Sequence, residues 1–100
     1  MTVQLHEDAA AMTRDAIRAK CREVERLLLQ KNRAYGNSAL SPIGIFARGD
    51  AQALIRTRID DKLNRIRNAG ETALGEDAIL DLTGYLILLL IARDRELEGK

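Results

Sequence analysis

The segment EDAILDLTGYLILLLIARDREL, residues 76–97, decides the fold. Its second half, YLILLLIA at 85–92, is apolar around the whole circumference of a helix, and such a helix must be covered on more than one face. Other helices are therefore required to pack around it. In the first half Asp77 and Asp81 stand four residues apart, so on a helix both carboxylates project from one face, within reach of a common ion or partner. Tyr85 continues that row. Glu76 and Asp77, in the first turn, also suit the positive end of the helix dipole, but this plainer role does not extend to Asp81, one turn further in. Gly84 costs a helix ~1 kcal/mol relative to Ala and is best tolerated where another helix or a ligand approaches closely.

Working outward, 100 residues make one domain. One Phe, two Tyr and no Trp leave Leu, Ile and Ala to build the core, and a single Pro leaves few breaks in regular structure. An all-α bundle of about four helices is expected, over 8–34, 42–48, 50–69 and 75–97. Although 31% of residues are charged, the net charge is only +1, which supplies no field for nucleic acid and argues against direct DNA binding. Cys21 is the lone cysteine, so neither a disulfide framework nor a cysteine metal site is available. The first residues, MTVQLHED, show no secretory signal, and the apolar run at 85–92 is far short of the roughly 20 residues that span a bilayer. A cytoplasmic protein without membrane contact is expected.

In the first helix Ile17, Cys21, Val24 and Leu28 follow three- and four-residue steps and form one buried stripe. Cys21 in that stripe is expected to pack as a small, inert hydrophobe. Arg14, Arg18, Arg22 and Arg26 form a ladder on another face, most simply a solvated one, and His6 precedes the periodic part as a surface residue. Gly36 can take the left-handed conformation that closes a helix. Around it Lys31, Asn32 and Tyr35 bring a cation, an amide and a ring together, suited to hold a base or a phosphate; equally, Tyr35 could simply plug the core beneath a helix end. Ser41 and Pro42 form a helix-start pair for a short helix through Ala47. Asp50 caps a third helix, stopped by Gly70, with Leu54 or Ile55, Ile59, Leu63 and Ile66 as its apolar stripe. Arg58, Asp61 and Arg65 share a row beside that stripe, so their charges should border the groove facing the other helices.

No Ser/His/Asp or Cys/His arrangement is available for nucleophilic catalysis, and no glycine-rich phosphate loop is present. Oxygen chemistry remains. Carboxylates four apart on a buried helix, facing another carboxylate-bearing helix, are how helical bundles assemble a Mg²⁺ site, and nearby basic side chains then hold the phosphates that the metal bridges.

Three blocks carry a resemblance: KNRAYGNS at 31–38, RIDDKLNRI at 58–66 and DAILDLTGY at 77–85. In that order they resemble the motifs of the phage nucleotide-modification-associated domain family, over about residues 25 to 92. That family is similar to the all-α, MazG-type nucleoside triphosphate pyrophosphatases. The resemblance implies a MazG-like bundle that cleaves a nucleotide to its monophosphate and pyrophosphate with Mg²⁺, or Mn²⁺ in its place. It implies metal ligation by Asp77 and Asp81, and a further ligand or water-orienting base in Asp61. Lys31, Lys62 and Arg65 become phosphate contacts, with Arg58 beside them on the substrate side, and Tyr35 and Tyr85 line the base pocket. One departure stands out. MazG-type enzymes carry Glu-x-x-Glu on the first helix, whereas here Glu23 is followed three residues later by Arg26, and Glu25 by Leu28. Only single carboxylates are on offer there, which weighs on catalysis more than on binding.

The sequence thus leads to a Mg²⁺-dependent nucleotide pyrophosphohydrolase of phage or prophage metabolism, in the host cytoplasm if phage-encoded. The alternative is a non-catalytic nucleotide binder, either accessory to DNA-base modification or a sponge for a nucleotide defence signal. A purely structural helical dimer with an incidental acidic row is the third reading. Because residues 86–91 cover more circumference than short partners can bury, a homodimer is expected with this helix at or near the interface.

Overall fold

The computed structural model of the chain describes residues 2–45 and 48–99. It contains three α-helices and no strand among these residues: α1 (Thr2–Tyr35), α2 (Ala51–Ala69) and α3 (Ala78–Glu98), with a 3₁₀ turn at Ala73–Gly75. The all-α class is as expected, but the helix count is three. Residues 42–45 of the expected second helix are not helical, while Phe46 and Ala47 lie outside the described residues. A Ser-Pro start cannot sustain a helix that Gly44, at φ +70°, interrupts two residues later.

Both ends of α2, the start of α3 and the end of α1 have local causes. Asp50 caps α2 by accepting the Ala53 N–H at 2.8 Å, and Asp77 caps α3 by accepting the Leu80 N–H at 3.0 Å. Glu76 and Asp77 therefore stand before α3 rather than in its first turn. Gly70 closes α2, its N–H donating to the Ile66 carbonyl at 2.9 Å. After α1 the chain turns through left-handed Gly36 and Asn37, at φ +59° and +66°, and the Ser41 N–H returns to the Asn37 carbonyl at 3.0 Å.

α2 and α3 form the most extensive contact. They run antiparallel: Gln52 at the start of α2 donates to Glu96 at the end of α3, and Arg65 near the end of α2 reaches Glu76 at 2.6 Å. α1 runs in the direction of α3, since Leu28 abuts Gly84 and Leu40, past the end of α1, shares a hollow with Ala92 further along α3. Gly84 does what its place in the sequence suggested. A Cβ there would lie 3.0 Å from Leu28 Cδ2, so its absence lets α1 close on α3.

The buried apolar set among the described residues is small: Val24, Ile55, Ala78 and Ala92. Between Leu54 and Ile55 the core takes Ile55, but Leu63 is half exposed, so the expected α2 stripe fails at that turn. The α1 stripe holds only from Val24 onward. Ile17 is 57% exposed and Cys21 is also exposed, not packed as an inert core residue. The reason is length. A helix of 34 residues is about 51 Å long at 1.5 Å per residue, whereas α3 has 21, so the first half of α1 is left exposed almost throughout among the described residues. The arginine ladder there is exposed, with Arg18 paired to Asp15 at 3.0 Å.

Candidate functional site

Where α1 closes on α3, their side chains and the loop after α1 enclose a pocket of about 260 Å³. Leu27, Leu28 and Leu88 give it an apolar floor, and Gly84 leaves the opening between the helices. Its polar wall is Lys31, Asn32, Tyr35, Asn37, Ser38, Arg58, Asp81 and Tyr85. The loop is braced against α1, with Asn32 Nδ2 donating to Asn37 Oδ1 at 3.1 Å and the Asn37 N–H to the Asn32 carbonyl at 3.3 Å. Tyr35 is 68% exposed, so it forms the rim and does not plug the core. Tyr85, one turn beyond Asp81 on α3, is half-buried.

Asp81 joins all three helices. Lys31 of α1 reaches Oδ1 at 3.2 Å and Lys62 of α2 reaches Oδ2 at 3.3 Å, with the Asp81 side chain only 14% exposed. Burial alone would raise its carboxyl, but Lys31 and then Lys62 outweigh burial and hold it below the ordinary carboxylate value. Below the clamp lies a second charged group. Arg65 donates to Glu76 Oε2 at 2.6 Å and to the backbone carbonyls of Ala73 and Glu76, while Lys62 also lies 3.6 Å from Glu76. Arg65 thereby fastens the α2–α3 connection to the end of α2.

Of the residues singled out from sequence, Lys31, Tyr35, Arg58, Asp81 and Tyr85 meet at the pocket. Lys62 stands behind it on Asp81, and Arg65 is engaged with Glu76 and the connection. Asp61 is exposed on α2. Asp77 is exposed and spends Oδ1 on capping α3. In this arrangement both Asp81 oxygens face an ammonium, and among the described residues no three His, Cys, Asp or Glu side chains group closely enough to share an ion. Sequence reasoning missed Asn37, Ser38, Leu27 and Leu88 as pocket residues, and treated Glu76 only as a helix-dipole partner. The signal for the loop was present in Gly36-Asn37, since Asn is among the few non-glycine residues at ease in the left-handed region.

No protein-family model, curated protein or solved structure matches the chain. No helix among the described residues is long and apolar enough to cross a membrane.

Proposed function

We propose that the protein binds a nucleotide in this pocket without cleaving it. The observation that carries the reading is the meeting of Lys31, Arg58, Tyr35 and Tyr85 around one opening. A guanidinium and an ammonium match phosphate oxygens, and aromatic faces at rim and wall match a base. The volume, about 260 Å³, falls just below the roughly 300 to 1,000 Å³ of most ligand sites, which favours a mononucleotide over a dinucleotide. With two lysines on one aspartate, the Lys31–Asp81–Lys62 clamp carries a surplus positive charge beside Arg58, which offsets phosphate charge with no metal required.

Cleavage with Mg²⁺ or Mn²⁺ in a MazG-like fold is the second reading, favoured by the placement of Asp81 at the pocket wall on the same helix that Asp77 begins. A role in phage or prophage nucleotide metabolism, in the host cytoplasm, belongs to either reading and rests on the three motif blocks. The test is a panel of canonical and modified nucleotides with Mg²⁺ or Mn²⁺, followed in parallel for binding and for pyrophosphate release. Tight binding with intact nucleotide recovered supports the binder. Release that depends on Asp61 and Asp81 supports the enzyme, and neither outcome across the panel removes both.

A further inference from the structure

Opposite the face that α3 presents to Gly84, Leu88 and Ala92, a second line, aliphatic at four of its six positions, runs down the same helix. Ile79, Thr83, Leu86, Leu90, Arg93 and Leu97 are all exposed, the four aliphatic ones at 44%, 46%, 54% and 68% in chain order. Their spacing alternates four, three, four, three and four, which is the seam of a helix that pairs with another helix. The seam is also palindromic. Turned end for end about the point midway between Leu86 and Leu90, it sets Ile79 against Leu97, Thr83 against Arg93 and Leu86 against Leu90, so every aliphatic side chain meets an aliphatic one. A surface that matches itself under a twofold rotation is what an isologous interface requires.

The exposed area points the same way. The chain exposes 7849 Å², whereas a compact monomer of 11.1 kDa exposes about 5,700 Å². The excess of about 2,100 Å², shared between this face and the exposed first half of α1, is of the size one protomer of a large, obligate dimer buries. The radius of gyration, 17.3 Å, likewise exceeds the roughly 13 Å of a compact 100-residue domain. We propose that a second copy of this chain covers this face, α3 packing antiparallel on α3 of its twin about an axis between Leu86 and Leu90. The first half of α1, with Met12 and Ile17 exposed, then extends beyond the protomer alongside the twin.

Light scattering on the full chain is expected to give twice 11.1 kDa, with a melting temperature that rises with protein concentration. Leu86→Glu and Leu90→Glu, which alter side chains the protomer itself leaves exposed, are expected to abolish the dimer, while Arg56→Glu on the exposed side of α2 leaves it intact. The register is read by cross-linking: in a Cys21→Ala background, Thr83→Cys combined with Arg93→Cys should oxidise to a covalent dimer joined 83 to 93, and Thr83→Cys alone should not. If the glutamate variants unfold, the concentration dependence of the wild-type melting temperature and the cross-link still decide. A monomer whose melting is independent of concentration overturns the proposal, as does a dimer indifferent to both glutamate variants, a cross-link confined to 83 with 83, or a monomer found only with a different protein or lipid on this face.

Discussion

Asp81 is the residue through which the three helices communicate. Its carboxylate is mostly buried and held by two lysines from different helices, so Asp81→Asn leaves both ammonium groups facing a neutral amide and should cost about 1 to 2 kcal/mol in a urea titration. The pH dependence has a definite sign. Because the folded carboxyl titrates below its ordinary value, its contribution is complete above about pH 4 and is lost as pH falls through the folded value. Wild type should therefore lose more stability than Asp81→Asn on acidification below pH ~4, and parallel losses would remove the clamp from the account. Asp61, by contrast, is exposed. Asp61→Asn should leave nucleotide affinity unchanged or slightly improved, whereas an enzyme using it as a base would lose on the order of 10²- to 10⁴-fold in rate.

At the scale of the helices, Gly84 and Ile55 carry distinct duties. Gly84→Ala gains helix propensity but must displace Leu28 Cδ2, which would lie 3.0 Å away. Leu28 lines the pocket and has room to turn into it, so stability should change by less than about 1 kcal/mol while the pocket narrows and affinity falls. Gly84→Leu should instead push α1 off α3 and lower the melting temperature markedly. Ile55→Ala empties the one large, fully enclosed position among the described residues and should cost about 2 to 5 kcal/mol. The helices with caps were legible from sequence because Asp50, Gly70 and Gly36 act through neighbouring backbone alone. The segment after Pro42 was not, since a start signal says nothing about whether a helix has anything to pack against. Cys21 and Ile17 misled for the same reason: their periodicity marks a face, and whether that face meets a partner within the protomer depends on how far α1 outruns α3.

At the scale of the whole molecule, the sequence brought Lys31, Tyr35, Arg58, Asp81 and Tyr85 into consideration, and the fold brings them to one pocket. What sequence could not reveal was the sharing of Asp81 between Lys31 and Lys62, residues 50 and 19 positions away whose meeting depends on α1 running with α3 and α2 against it. That sharing is what the proposed charge-based capture of a phosphorylated ligand rests on. Such capture should weaken as salt is raised, because exposed Arg58 acts through screened charge. The most direct test is a calorimetric titration with nucleoside mono- and triphosphates in the presence of a metal chelator, on wild type, Lys31→Ala and Arg58→Ala. Saturable binding by wild type without divalent metal, weakened about tenfold or more by either substitution, is the predicted result; no binding until Mg²⁺ is restored, or binding untouched by both substitutions, would contradict it.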